Sequence, residues 1–489
     1  MPLNLISDPW IPVLDTAGQR RIIAPWQMAG PGLLRPDWPR ADLNITCLEL
    51  LIGLVFLADP PEDVDDWQDR QAPDADRLRG KLSALAPAFN LTGEGPLFLQ
   101  DFVALQDAPN PPDMLFIDSA GAKTAKDNAD LMVRRKRYVE LDLPLSAMAL
   151  YTFQAHAPEG GRGNMTSMRG GGPMVTLVDP GAGLWPLIWA NVPDGKPQGM
   201  AALPWMRPTK VSDTGVQVFP PPGHEVWAEA FFGMPRRLRL VVQGDAVTGV
   251  IQRPSGTNYA GWEHPLTPYY REKPGGELRA AHPRPGRFGY RHWLGILAEA
   301  PDTDLRQRAR VLRLRHARGG GGSVIVAGWA MKSMKPRDFI QSVQPFISLE
   351  PEAEAMLAGL IEAAEQAGLA LRMALEPLLG DSEAREAERE AFYADTEAGF
   401  QARLADLQAG RAGVEVAADW LGELRRVALA RFEARALPGL DQQETDVIAR
   451  IVMAQRLLRG AFSGFGKYGR EMFGKLCMTV PATKKKVVA

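Results

Sequence analysis

The chain has 489 residues, 45% of them hydrophobic and 23% charged, which fits two or three globular domains and excludes disordered and fibrous classes. Lys and Arg total 56 against 58 Asp and Glu, a formal net charge of -2, so any nucleic-acid site must be a local patch. Cys47 and Cys477 cannot build a disulfide framework or a cysteine zinc site, and His156, His224, His264, His282, His292 and His316 show no metal-binding spacing. No metal and no cofactor is expected.

The opening MPLNLISDPWIPV lacks a basic segment followed by an apolar one, so no signal peptide is expected. The apolar stretch Leu48–Leu57 is interrupted by Glu49 and Gly53 and falls short of the about 20 residues that span a bilayer. A soluble, cytoplasmic chain with no membrane partner is expected. Leu48–Leu57 and Ala75–Leu85 read as helical, Val175–Val178 and Leu238–Val242 as short β-prone runs. Short elements with long irregular links predict a mixed α+β region whose loops carry function.

Proline and glycine punctuate the chain up to about Pro345, whereas from Leu349 to Leu437 the only prolines are Pro351 and Pro377. That shift places a domain boundary near Pro345–Ser348, between a mixed region 1–347 and a helical region 348–489. Met356, Leu360, Ala363, Ala367, Leu371, Ala374 and Leu378 recur at spacings of four and three as one apolar stripe. Further helices are predicted over about 383–408, about 415–436 and from about 442 to Gly460. Four such helices with short connections predict an antiparallel four-helix bundle, giving an α+β protein overall.

Three loops stand out chemically. Ser119–Arg137 holds Lys123, Lys126, Arg134, Arg135, Lys136 and Arg137 against Asp127 and Asp130; it is either a polyanion contact or a solvated basic loop. Ala157–Pro173 carries the clusters Gly160/Gly161/Gly163 and Gly170/Gly171/Gly172 around Arg169. It fits neither a P-loop nor a dinucleotide fingerprint, and its glycines serve either tight turns or close backbone approach to a ligand. Arg306–Arg337 contains Arg306, Arg308, Arg310, Arg313, Arg315, Arg318, Lys332, Lys335 and Arg337 and no acid. Polyanion binding is favoured there over internal neutralisation by acids elsewhere in the chain. Its alternation through Val311–Arg315, then Ser323–Val326, predicts two strands around Gly319–Gly322. The short basic run Lys484–Lys486 reads as a solvated terminus. No nucleophile–base set, metal-ligand cluster or carboxylate pair stands out, and Glu263-His264 reads as structural, so no catalysis is expected.

Several stretches together resemble the large subunit of the type I-E CRISPR surveillance complex Cascade, the CasA family. They are Asn4–Val13, Ile117–Val133, Ala149–Val178, Phe232–Leu240 (FGMPRRLRL), Tyr259–Tyr270 (YAGWEHPLTPYY) and Ala327–Phe339 (AGWAMKSMKPRDF), in the family's order. The helical third is similar in length and character. The resemblance implies a non-catalytic subunit that reads the protospacer-adjacent motif (PAM) in double-stranded DNA and wedges the duplex open to start the R-loop. The implied partners are guide RNA with the other Cascade subunits and a helicase-nuclease recruited after R-loop formation.

Carried over by residue, the family's glycine loop falls on Gly160, Gly161, Arg162 and Gly163, with Arg162 in place of a glycine. Its basic minor-groove probe falls on Arg253, whose contacts would distinguish bases only coarsely. Its wedge falls on Lys332, Ser333 and Met334, with Ser333 in place of a glutamine and Met334 able to unstack a base step. Its mobile loop falls on Lys123–Arg137, implying phosphate contacts from Lys123, Lys126 and Arg134 and a polar contact from Asn128. A stand-alone RNA-binding scaffold is the alternative, and an enzyme with an unrecognised site the remote one.

Overall fold

A computed structural model describes residues 3–119, 121, 126–128, 130, 134–161, 163–223 and 225–480. Lys123, Arg162, His224 and the Lys484–Lys486 run lie outside the described residues. The chain opens with an antiparallel sheet of β1 (Ile11–Asp15), β2 (Arg20–Ile23) and β3 (Leu33–Pro36) in the order β2-β1-β3.

Helix α1 (Ala41–Ala58) follows, apolar on every side and buried almost throughout, Glu49 included. An all-round apolar helix belongs in a core. It is long and apolar enough to cross a bilayer, yet 89% of that window is buried inside the protein. A short helix at Ala75–Ser83 matches the run read as helical. Beyond β4 (Leu141–Asp142), Asp142 caps α2 (Leu143–His156) by accepting a hydrogen bond from the Leu145 N–H, with Pro144 in the first turn. Helix α2 packs on α1, where Thr46 and Thr152 hydroxyls meet at 2.6 Å.

Two further sheets carry the loops of interest. In one, β7 (Ala246–Arg253) lies between β4 and β6 (Arg237–Gln243). In the other, β5 (Val175–Asp179) pairs antiparallel with β8 (Ser323–Lys332), which turns back into β9 (Lys335–Pro345). The run Val311–Arg315 is not a strand: α3 (Arg310–Ala317) precedes β8. Five residues cannot separate period 2 from period 3.6, and Leu and Arg both favour helix. Val311 and Leu312 are buried side by side, as a helix face allows and a half-buried strand does not.

The chain divides into two compact units, Met1–Arg287 with Gln307–Phe346, and Phe288–Arg306 with Ile347–Ala489. The stretch 288–306, which the proline and glycine pattern puts in the first region, joins the second through its aromatics. Tyr290 stacks on Phe400 at 4.2 Å and meets the Thr396 hydroxyl at 2.8 Å, and Trp293 packs edge-on to Phe400. The second unit is built from α4 (Pro351–Ala374), α5 (Ser382–Gln408), α6 (Gly413–Ala436), α7 (Thr445–Ala461) and α8 (Gly466–Lys475). Helix α4 packs against each of the other four, and Trp420 of α6 donates its indole N–H to the Leu360 carbonyl at 2.9 Å.

Candidate nucleic-acid interface

The β8–β9 hairpin closes through Ser333 and Met334, with Lys332 paired to Lys335. Both turn residues have positive φ, 51° and 58°, the geometry of a type I′ turn. Asn-Gly usually fills such a turn, because β-carbon sterics disfavour other residues there. Lys332, Ser333, Met334, Lys335 and Arg337 are exposed, and the three cations have no ion pair among the described residues.

The base of that hairpin meets Gly171 and Gly172, and Gly171 in turn meets the chain leading into the other glycine cluster. A β-carbon on Gly172 (φ +64°) would lie 2.5 Å from the Trp329 carbonyl of β8, and one on Gly171 2.7 Å from Pro158 Cα and 3.2 Å from Met331 Sδ. Pro158 leads into Gly160–Gly163. The Gly163 carbonyl accepts from the Gly256 N–H at 3.2 Å, and the Asn164 side-chain oxygen accepts from Gln252 at 3.0 Å. The glycine loop therefore lies along the end of β7, beside Arg253. Gly160, Gly161, Gly163, Arg253 and the hairpin are thus linked through consecutive backbone contacts.

Arg253 sits opposite Arg237 in the β6–β7 ladder, a pairing that like charges disfavour. Each has its own carboxylate: Arg237 binds Asp101 at 2.6 Å, and the half-exposed Arg253 binds the half-exposed Asp107. In the basic loop, Arg135 binds Asp130 and donates to the Asn128 side-chain oxygen at 3.0 Å, with Asn128 at φ 48°. The hydrogen bond from Arg135 lowers the Asp130 pKa. Arg137 and Arg40 both hold Asp118 at 3.1 Å beneath the stacked rings of Phe116 and Tyr138. Asp118 is pushed up by burial but held below the usual carboxylate range by Arg40 and Arg137. Arg137 is held by Asp118 and the exposed Arg135 by Asp130, alongside the exposed Lys126, Arg134 and Lys136 of the described part of this loop.

Of the Arg306–Arg337 run, two arginines around α3, Arg310 and Arg318, are paired with acids elsewhere in the chain. Arg310 binds Glu225, and Arg318 is buried against Asp194 with its guanidinium 4.8 Å from the centre of the Trp67 ring. Internal neutralisation therefore holds for these arginines and not for Lys332, Lys335 and Arg337.

A cluster that sequence reasoning missed lies underneath. The fully buried Glu49 carboxylate binds Arg169 at 2.7 Å and His156 at 2.8 Å, with His264 3.8 Å away. Burial raises the Glu49 pKa, but Arg169 and both imidazoles outweigh it and leave it at about 2. Burial and Arg169 push His264 well down, and burial lowers His282. The Arg169 side chain is 3% exposed and the others less, so no substrate reaches them. A lone acid within the apolar run CLELLIGLVFLA was the sequence signal for it. Among the described residues no group of three or more His, Cys, Asp or Glu is placed to hold a metal ion.

The model of the CRISPR-associated protein Cse1 family matches residues 4–430. The chain belongs to the Cse1 (CasA) family. It is thereby a large subunit of type I-E Cascade. The fold is similar to that of Thermus thermophilus CasA, at 19% identity and a TM-score of 0.71 over 96% of this chain and 99% of that one. Cse1 from Acidimicrobium ferrooxidans is similar at 18% identity and a TM-score of 0.70, over 98% and 99%. A chain of a CRISPR RNA-guided surveillance complex is similar at 15% identity and a TM-score of 0.65, over 94% and 99%. No curated protein sequence matches. At 15–19% identity these likenesses are likenesses of fold.

Proposed function

We propose that this Cse1-family subunit recognises the PAM in double-stranded DNA and starts strand separation with the β8–β9 hairpin, without catalysis of its own. The observation that carries the reading is the hairpin tip, where an apolar Met334 is presented between three exposed cations that have no ion pair among the described residues. Cations hold phosphates while an apolar side chain unstacks a base step, the combination that kinking proteins use. The contacts that link the base of this hairpin to Gly160, Gly161, Gly163 and Arg253 support one continuous surface for PAM and wedge. Arginine at 253 suits the acceptors of a minor groove and tolerates several PAMs. Lys126, Asn128 and Arg134, with Lys123 and Arg162 outside the described residues, complete the proposed contacts.

Guide RNA and the other Cascade subunits are the proposed assembly partners, which the likeness to a chain of an RNA-guided surveillance complex supports. In this reading α4–α7 act as the antiparallel four-helix bundle of the family, and a helicase-nuclease joins once the R-loop has formed. The test is binding of the reconstituted complex, with and without this chain, to duplexes carrying a randomised PAM. Chain-dependent binding that enriches particular PAMs is expected. Binding indifferent to both sinks the reading and makes an RNA-binding scaffold the better account.

A further inference from the structure

Arg236 is a buried cation without a counter-ion. The residue is 4% exposed, and it forms no ion pair among the described residues. Burial alone lowers its pKa, to about 10, so it remains charged at neutral pH. Its guanidinium stacks 5.3 Å from the centre of the Phe153 ring and donates to the Pro158 carbonyl, while its Nε has no hydrogen-bond partner among the described residues. Gln154 fixes its backbone through two 3.0 Å hydrogen bonds. A buried unpaired charge is costly, and an apolar side chain of similar volume would fill the same space without that penalty.

The position of the charge gives it a use. A β-carbon on Gly160 would lie 2.7 Å from Arg236 Nη1 and 3.1 Å from Nη2, so the guanidinium lies directly against the glycine. Gly160 and Gly161 are exposed, and Gly161 and Gly163 have φ of +66° and +75°. A glycine at 160 puts only backbone between the cation and the surface. A β-carbon there would also lie 2.8 Å from Asn164 Cβ, so any side chain would force the loop and the guanidinium apart.

We propose that Gly160, Gly161 and Gly163 cradle one phosphate of a nucleic-acid backbone and that Arg236 is the buried positive charge of this cradle. The proposal rests on the DNA-recognition reading above and adds to it a residue that binds phosphate without reading sequence. Phosphate contacts position a protein on the duplex and carry no base information directly.

Arg236→Gln keeps a hydrogen-bond donor for Pro158 and removes the charge; Arg236→Lys restores the charge. In the assembled complex, the R236Q chain should bind duplex targets more weakly by the same factor for every PAM. Its plot of log affinity against log salt should be shallower by about 0.9, the signature of one phosphate no longer neutralised. R236K should return the slope to the wild-type value. Should R236Q fail to fold, Gly160→Ala on the exposed loop displaces the guanidinium and should flatten the slope equally.

An unchanged slope and affinity in folded R236Q, or in G160A, overturns the proposal and leaves Arg236 as a packing residue. A loss confined to particular PAMs also overturns it, because it would make Arg236 a base-reading residue. Inorganic phosphate added at constant ionic strength should compete with DNA more strongly on the wild-type complex than on R236Q; equal competition counts against the cradle. If the wild-type complex itself ignores the PAM, the DNA-recognition reading falls instead.

Discussion

Replacing the hairpin tip by its preferred sequence, Ser333→Asn with Met334→Gly, separates the stability of the hairpin from its action. Both residues lie at left-handed φ, which costs about 1–2 kcal/mol for a residue with a β-carbon and little for Asn or Gly. The variant hairpin should therefore be at least as stable as the original. What it loses is the Met334 side chain, now 46% exposed. Burying a methionine fully is worth about 1.5–3 kcal/mol, so inserting the exposed half between bases returns about 1 kcal/mol, or about fivefold in the opening equilibrium. A fluorescent base analogue beside the PAM reads the opened fraction at saturating complex. The double variant should open about fivefold less, while Ser333→Asn alone opens normally. Wild-type opening by the Asn-Gly hairpin would refute the argument and make the backbone and its flanking lysines the wedge.

The same geometry makes three further predictions. Alanine at Lys332, Lys335 and Arg337 together should flatten the salt dependence of duplex binding by about 0.9 for each phosphate these side chains neutralise, read by titration at several salt concentrations. Asp107→Asn frees Arg253 from a half-exposed ion pair worth no more than about 1 kcal/mol, so affinity for DNA lacking a PAM should rise by at most about fivefold, measured by competition. Stability should fall with acid in two windows. The folded pKa values of His264 and His282 lie below the ordinary 6.5, so the unfolded chain takes the proton first and stability is lost as pH falls below about 6.5. Glu49, lowered from 4.5 to about 2, adds a second loss as pH falls below 4.5. Each group contributes at most about 1.4 kcal/mol per pH unit, and a thermal midpoint flat from about pH 7.5 to 5.5 contradicts the first window.

Long elements were legible because their patterns run for many turns. The periodic stripe from Met356 foresaw most of α4, and the runs around 383–408 and 415–436 foresaw α5 and α6. Short ones were not: Val311–Arg315 fits either period, and α8 is only ten residues with three glycines. The stretch 288–306 clusters with the helical unit because Tyr290 and Trp293 find their partners about a hundred residues later, and no local pattern encodes that. The site was legible as types of residue rather than as an arrangement. Glycine clusters can be seen in a sequence; that Gly171 and Gly172 face Pro158 and Trp329 cannot, since it depends on the pairing of β5 with β8.

The run Arg306–Arg337 shows why charge density alone misjudges an interface. Its nine cations looked like one patch, yet they sort by what surrounds them. Arg306 belongs to the second unit and packs on Gly295. Arg310 and Arg318 answer carboxylates at Glu225 and Asp194, far away in sequence, and Arg315 donates to the Gly321 carbonyl. Arg318, fully buried against Asp194, is already satisfied, so bringing a phosphate to it would cost about as much as it returned. Lys332, Lys335 and Arg337 ride on a two-stranded hairpin whose tip lies beyond the end of β5, and none of them forms an ion pair among the described residues, Asp338 included. A cation open to a polyanion is one that the fold leaves unanswered or, like Arg253, pairs only in a half-exposed ion pair that is cheap to break. By that criterion Arg236, buried with no ion pair among the described residues, is the cation the proposed phosphate cradle calls for.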